Sequence, residues 1–354
     1  MIKRITIINI LISLLLVGFA QIPPNYYDNA IGKRGVQMQA ELHNIIKNHT
    51  VISYPQIWTS CQTTDKKANG KVWDMYSDIP GSTPPYEYTF ITDQCGNYSG
   101  EGSCYNREHS FPKSWFNDQS PMKTDIFHIY PTDGYVNGKR SNYSYGEVSN
   151  PTWTSQNGSK LGPNTIPGFT GTAFEPIDEY KGDFARTYFY MATRYYTEDA
   201  SWKTNGMMNK SQPKPWALNM LYQWHLQDTV SQKEIDRNNA VYGIQNNRNP
   251  FIDHPEWVDS IWFDDTSVEW LKENTFVSIY PNPAINTINI KVSTSNIDNW
   301  QLTIFDMQGR SIMNNLFRGN STRINISNLK NGIYFLQLWN EDSQIIKNIK
   351  WIKQ

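Results

Sequence analysis

The most informative segments of this chain are CYNREHSFPKSWF, residues 104–116, and TDIFHIYPTDGYVNGKRSNYSYGEV, residues 124–148. In the second segment, Ile126–Tyr130 is a short apolar run between polar residues, which favours a strand that ends at Pro131. Gly134–Tyr143 favours a helix after it. Together with an extended stretch in the first segment, this order predicts a strand, a loop, a second strand and a helix.

That arrangement would place Asn137 beside Glu108 and His109, which are adjacent in the first segment. On a regular strand two neighbouring side chains point to opposite faces, whereas a bent or bulged segment lets both approach one site. A carboxylate and an amide oxygen are hard ligands suited to Mg²⁺ or Ca²⁺, and a neutral histidine can take a proton from water. The set therefore suits metal-assisted hydrolysis of a phosphodiester.

The composition excludes two broad classes of protein. The chain has 354 residues, a net charge of -1 and 14% aromatic residues, whereas disordered chains are poor in aromatics and strongly charged. A generally basic nucleic-acid coat protein is excluded by the same net charge, so phosphate binding must come from a local patch. The candidates for that patch are Arg107, Lys113, Lys139 and Arg140.

The two segments closely resemble the endonuclease I family, which consists of secreted bacterial nucleases with a ββα-metal finger. The resemblance rests on NREHSFPKSWF and DIFHIYPTDGYVNGKRSNY, and it continues through GDFARTYFYMATRYY and IQNNRNPFIDHPEW. It covers most of residues 25–260. Two blocks in the right order, with Asn137 located 28 positions after His109, make a specific signal.

The resemblance implies a role for each matching residue. His109 would be the general base, and Glu108 and Asn137 would hold one divalent ion, either Mg²⁺ or, alternatively, Ca²⁺ or Mn²⁺. His128 would lie on the second strand and orient His109, although a satisfied core histidine is an equal alternative. In-line attack by water would leave 5′-phosphate and 3′-hydroxyl ends.

One feature departs from the family pattern. Several relatives place between the two blocks an arginine that stabilises the transition state, whereas residues 111–123 of this chain contain only Lys113 and Lys123 as basic residues. Arg140 or Arg107 is the candidate to replace it, and the alternative is that the shorter loop uses another device.

The N-terminus, MIKRITIINILISLLLVGFAQ, is typical of a secretory signal peptide over residues 1–20, with an N-terminal anchor as the alternative. Export implies an oxidising environment. Of the three cysteines, Cys95 and Cys104 are close in a glycine-rich stretch and are favoured as a disulfide, which would leave Cys61 free. Three pairings are nevertheless possible from sequence.

The pattern of apolar and polar residues changes near residue 276. The later stretches alternate apolar and polar residues with a period of two and are separated by Asn, Gly and Pro clusters, which predicts a small β-sandwich over residues 276–354. SIYPNPAINTINI, FDMQGRSI and NLKNGIYFLQL resemble the type A sorting domain of the type IX secretion system. A carbohydrate- or cell-wall-binding sandwich is the alternative.

The sequence thus predicts an α+β fold, with a ββα-metal nuclease core and surrounding helices at residues 21–266, followed by the all-β module. Helices are predicted at Gly35–Lys47, Asp183–Tyr196, Leu218–Leu226 and Ser231–Tyr242, and a loop over 150–176. We expect a secreted or cell-surface, monomeric endonuclease without a membrane span when mature. Its expected partners are DNA or RNA and the type IX machinery. A glycan hydrolase and a non-catalytic adhesin are the alternatives.

Overall fold

The computed structural model describes residues 22–263, 276–293, 299–307, 310–340 and 345–354. The chain divides into two compact units, one containing Met38–Val258 and the other Asp259–Gln354. The predicted signal peptide at residues 1–20 lies outside the described residues. No helix within the described ranges is long and apolar enough to span a membrane.

Residues 22–263, which include the described part of the first unit, are mainly helical, with short strands. The helices are α1 (Gly35–Ile46), α2 (Gln56–Thr64), α3 (Gly134–Arg140), α4 (Lys181–Arg194), α5 (Pro215–Gln227), α6 (Gln232–Gln245), α7 (Pro250–Asp253) and α8 (Trp257–Trp262). The strands are β1 (Tyr105–His109), β2 (Ile129–Asp133), β3 (Ser144–Tyr145), β4 (Trp153–Thr154), β5 (Lys160–Pro163), β6 (Thr172–Glu175), β7 (Met208–Asn209) and β8 (Gln212–Pro213).

The predicted strand, strand and helix form a ββα motif. Strands β1 and β2 pair antiparallel, with Glu108 opposite Tyr130 and His109 opposite Ile129. Asp133 ends β2 and its carboxylate accepts a hydrogen bond from the Val136 N–H, which caps α3. The motif therefore links the strand with Glu108 and His109 to the helix with Asn137 through β2.

The predicted limits of the second strand are wrong. Residues Ile126–His128 form a 3-10 turn, and β2 begins only at Ile129. Pro131 lies within β2, opposite Arg107, instead of ending it. A proline is tolerated there because β1 and β2 form a two-stranded sheet, in which each strand has an edge that needs no N–H donor.

Helix α4 is the centre of the first unit. All 14 of its residues are buried, including its charged ones. Burial is possible because the charges are paired: Arg186 lies 2.5 Å from Glu234 of α6, and Asp183 pairs with Lys233. The predicted helices correspond to α1, α4, α5 and α6, with ends displaced by a few residues.

The predicted loop over residues 150–176 is wrong in part. Strands β4, β5 and β6 lie within it and join β3 in a four-stranded sheet, in the order β3-β6-β5-β4. These strands have two to four residues each, which is too short for a period of two to be visible in the sequence.

The second unit confirms the predicted β-sandwich. It contains β9 (Phe276–Tyr280), β10 (Thr287–Ser293), β11 (Asn299–Phe305), β12 (Ser311–Arg318), β13 (Ser321–Asn325), β14 (Gly332–Asn340) and β15 (Ile345–Lys353). These strands form a three-stranded and a four-stranded sheet. Alternate side chains of both sheets, among them Ile290, Leu302, Trp300, Leu336 and Trp351, share one buried apolar cluster.

The structure joins Cys95 and Cys104 in a disulfide, and Cys61 is a buried free thiol. The disulfide closes a short loop that packs on α3, because the Gly134 N–H donates to the carbonyl of Cys104 at 2.9 Å. The ring of Tyr98, from the same loop, covers Gly138 so closely that a β-carbon there would clash with it.

We predict that reduction of this disulfide lowers the free energy of unfolding by about 2–3 kcal/mol. The cross-link restricts the unfolded chain, and reduction returns that conformational entropy to the unfolded state. Urea unfolding with and without a thiol reductant measures the effect. The variant with both Cys95 and Cys104 replaced by alanine is the control and should not respond to the reductant. An identical urea midpoint for the wild type in both conditions contradicts the prediction.

Candidate active site

His109, at the end of β1, has a fixed orientation. Its Nε2 lies 3.0 Å from the carbonyl oxygen of Lys123, which can only accept a hydrogen bond. The neutral ring must therefore carry its proton on Nε2, which leaves Nδ1 with a free lone pair. Burial lowers the pKa of His109 well below 6.5, and the neighbouring His128 ring contributes. The imidazole is thus an unprotonated base at neutral pH.

Glu108 is held by side chains inside the protein. Its Oε1 accepts a hydrogen bond from the Tyr76 hydroxyl at 3.1 Å and lies 3.1 Å from Nη1 of Arg140. The side chain is almost fully buried, and burial raises its pKa, an effect that Arg140 and Tyr76 offset in part. These two contacts hold one carboxylate oxygen, so the carboxylate orientation is set before any ligand binds.

Asn137 connects the helix to the first strand. Its Nδ2 donates to the carbonyl oxygen of Arg107 at 3.3 Å, one residue before Glu108. Because the amide nitrogen is used in this way, Oδ1 is the branch that is left to act as a ligand. Asn137 also lines a surface groove.

The donor types of Glu108 and Asn137 fit a hard divalent cation that keeps several of its water ligands. Among the described residues, no group of three or more His, Cys, Asp or Glu side chains is arranged to hold a metal ion. One carboxylate and one amide therefore form the candidate donor set at this site.

Arg140 does not occupy the position expected of a phosphate ligand. It is 0% exposed, its Nη1 donates to the carbonyl of His109 at 3.0 Å, and its Nη2 donates to the carbonyl of Ser110. With its ion pair to Glu108, it fixes the end of β1 from inside the protein. The expectation that it contacts the substrate is therefore corrected: within this geometry Arg140 is a positioning residue.

The predicted location of His128 on the second strand is wrong, because His128 lies on the 3-10 turn that precedes β2. It is fully buried, and its Nε2 lies 2.7 Å from the carbonyl of Met122. Its ring meets the His109 ring edge-on at a centroid distance of 5.3 Å. It therefore packs against His109 and limits how that ring can turn.

A groove of about 560 Å³ lies beside this motif. Its lining residues are Tyr54, Trp58, Gln94, Cys95, Gly96, Asn106, Arg107, Lys113 and Asn137. Of the predicted phosphate contacts, Arg107 and Lys113 line the groove. Lys139 lies elsewhere on α3, with its Nζ 5.2 Å from the Tyr135 ring centroid and 5.9 Å from that of Trp153.

Three residues at this site are missing from the sequence-based expectations. Tyr76 holds Glu108, and Tyr54 and Trp58 form part of the groove. All three precede the ββα motif by 29 residues or more along the chain. Their aromatic type was the only local signal, and aromatic residues are common throughout this chain.

This chain belongs to the Endonuclease I family, because residues 34–256 match that family. It is similar to an extracellular ribonuclease of Bacillus amyloliquefaciens, with 37% identity over 67% of this chain and 78% of that protein. An extracellular ribonuclease of Bacillus subtilis (strain 168) is 34% identical over the same shares. An endonuclease-1 of Buchnera aphidicola subsp. Baizongia pistaciae is 29% identical over 37% of this chain and 46% of that protein.

Residues 278–353 match the secretion-system C-terminal sorting domain. These residues, which form the β-sandwich, are therefore a sorting module, which indicates type IX secretion to the cell surface or beyond it. Family and sorting module together define a secreted nuclease with an α+β fold.

Proposed function

We propose that the protein is a metal-dependent endonuclease that hydrolyses phosphodiester bonds of DNA, RNA or both with little sequence specificity. The observation that carries the proposal is the hydrogen bond between His109 Nε2 and the Lys123 carbonyl, because it leaves Nδ1 as a free base. Asn137 bonds to the backbone next to Glu108 and His109, which ties the amide ligand to the same end of β1.

Glu108 and Asn137 would hold the metal ion. When bound there, the ion supplies positive charge beside the phosphate and the leaving oxygen. Glu108 has one oxygen committed to Tyr76 and Arg140, so its other oxygen is the ligand. Arg140 favours the ionised form of the carboxylate, which is the form that binds a metal ion, and so offsets part of the effect of burial.

His109 takes the proton from the attacking water at Nδ1. The resulting imidazolium keeps its Nε2–H bond to Lys123, which stabilises the charged ring. In-line attack at phosphorus then gives 5′-phosphate and 3′-hydroxyl products. His128 restricts the ring of His109 through its edge-on contact.

Arg107 and Lys113 hold the phosphate backbone in the groove, and Lys139 extends the basic surface along α3. Contacts with phosphates carry no base information, which fits a sequence-tolerant enzyme. The relatives named extracellular ribonuclease support RNA as a substrate, and the relative named endonuclease-1 supports cleavage within the strand.

Glycan hydrolysis is less well supported. That chemistry uses two carboxylates on either side of the scissile bond. The described lining of the groove contains amides, aromatic rings and cations, and no carboxylate among them.

We predict that Asn137→Ala raises the Mg²⁺ concentration needed for half-maximal cleavage by at least about tenfold. Loss of a residue that only supports a ligand already costs 10–100-fold in metal affinity, and Asn137 is proposed to be the ligand itself. A Mg²⁺ titration of the initial cleavage rate measures this.

Asn142→Ala is the matched control, because Asn142 is exposed and its amide bonds only to the Ser114 hydroxyl at 3.3 Å. It should leave the titration unchanged. Equal Mg²⁺ midpoints for Asn137→Ala and the wild type would remove Asn137 from the donor set.

A further inference from the structure

One wall of the groove is built from three planar groups. The guanidinium carbon of Arg107 lies 3.8 Å from the ring centroid of Tyr54 and 4.3 Å from that of Trp58. Nη1 of Arg107 also donates to the Tyr54 carbonyl at 3.0 Å. We call Tyr54, Trp58 and Arg107 the planar wall; all three are partly exposed and line the groove.

The planar wall is rigid on its inner side. Trp58 meets Tyr105 of β1 edge-on at 5.6 Å and packs against the buried cluster that contains Tyr105. Arg107 is held by two rings and a backbone carbonyl, and no carboxylate among the described side chains forms an ion pair with it.

The chemistry of the planar wall favours a nucleobase next to a phosphate. Bases of single strands stack on aromatic rings, and a cation beside the rings can meet the adjoining phosphate. Two more cations point toward Tyr54, with Nζ of Lys123 at 5.4 Å and Nζ of Lys113 at 5.6 Å from the ring centroid. This concentration of positive charge favours a polyanionic strand over a neutral sugar chain.

The position of the planar wall fixes which base it would hold. The Asn137 amide bonds to the backbone of Arg107, so the planar wall starts one residue from the candidate metal ligands. A base in the groove would therefore belong to a nucleotide next to the scissile phosphate. The groove volume of about 560 Å³ lies within the range of 300–1,000 Å³ typical of small-molecule sites, which is room for one nucleotide.

We propose that the planar wall is a stacking subsite for one unpaired nucleobase beside the scissile phosphate, so that the enzyme selects single-stranded over double-stranded nucleic acid. In a duplex, the faces of that base are covered by its neighbours and are not available to the protein. The inference rests on the proposed function and names the form of substrate that the same site takes.

The test combines protein and substrate changes. Single-stranded oligonucleotides with one abasic site, moved nucleotide by nucleotide across a fixed cleavage position, are compared with the intact strand and the matching duplex. For the wild type, we expect one abasic position next to the cleaved bond to lower kcat/KM by about tenfold. Trp58→Ala should cause a similar loss on the intact single strand, a much smaller one on the duplex, and no further loss on that abasic strand.

Two variants separate stacking from structural damage. Trp58→Phe keeps an aromatic face and should recover most of the single-strand activity. Tyr242→Ala removes a partly buried ring whose centroid lies 5.7 Å from the Arg248 guanidinium, away from the groove, and should change neither substrate's kcat/KM.

The proposal is overturned if no abasic position matters, or if Trp58→Ala lowers cleavage of single strands and duplexes equally. Quenching of tryptophan fluorescence by an uncleavable phosphorothioate strand gives an independent readout of binding. Should the wild type bind that strand through Trp58 and yet cleave nothing, the proposed function fails while the subsite stands. Equal quenching by a neutral oligosaccharide would instead overturn the subsite as a nucleobase site.

Discussion

His109→Ala should lower the rate of strand cleavage by about 10²–10⁴-fold, the usual contribution of a positioned general base. The substitution removes Nδ1, the ring nitrogen that stays available when the Lys123 carbonyl orients the ring through Nε2. Initial rates on an end-labelled oligonucleotide at saturating Mg²⁺ measure the effect. The loss should fall on kcat, because His109 acts on the water and not on the binding of the strand.

His254→Ala is the control for this experiment. His254 pairs with Glu256 at 3.1 Å on the surface and lies outside the groove lining. Its replacement should leave the rate within twofold of the wild type. Retention of most activity by a folded His109→Ala protein would remove His109 as the base.

Arg140→Ala should be the most destabilising single substitution at the site, lowering the free energy of unfolding by about 3–5 kcal/mol. The substitution removes the ion pair of the buried Glu108 carboxylate, which keeps its hydrogen bond from Tyr76. It also removes the hydrogen bonds that Arg140 donates to the carbonyls of His109 and Ser110. Urea unfolding followed by fluorescence measures the change.

An exposed ion pair provides the comparison. Lys113 lies 3.7 Å from Asp118, with both side chains more than a third exposed, so Lys113→Ala should cost less than about 1 kcal/mol. Arg140→Lys keeps the charge but not the planar fork, and should be intermediate. If Arg140→Ala unfolds at the same urea concentration as Lys113→Ala, Arg140 does not have the positioning role described here.

The order of elements in the ββα motif could be predicted from the sequence because each signal is local. The apolar run before Asp133 and the helix after it are visible within about fifteen residues. The alternation in the last 79 residues predicted the sandwich for the same reason, since both sheets use every second residue in one core.

The second partners of the site residues could not be predicted, because they come from distant parts of the chain. The carbonyl that fixes the His109 tautomer belongs to Lys123, in a single 3-10 turn, Met122–Thr124, that is too short to show a periodic pattern. The hydroxyl that holds Glu108 belongs to Tyr76, 32 positions earlier. Such contacts depend on tertiary packing, which no local pattern encodes.

The inward orientation of Arg140 could have been predicted from its spacing in the helix. Basic residues in a short polar helix usually face water, which suggested a substrate contact. Arg140 lies four residues after Val136, however, and residues with this spacing share one face of a helix. Because Val136 is buried, Arg140 is directed into the protein, where Glu108 compensates its charge.

The most direct test of the account is cleavage of a single labelled strand that contains both deoxyribonucleotides and ribonucleotides, with Mg²⁺ and after removal of metal by EDTA. We predict cleavage with Mg²⁺, none with EDTA, recovery when Mg²⁺ is restored, and 5′-phosphate ends on the products. An intact strand in Mg²⁺, undiminished cleavage in EDTA, or 5′-hydroxyl ends would contradict hydrolysis by a metal ion at Glu108 and Asn137 with His109 as the base.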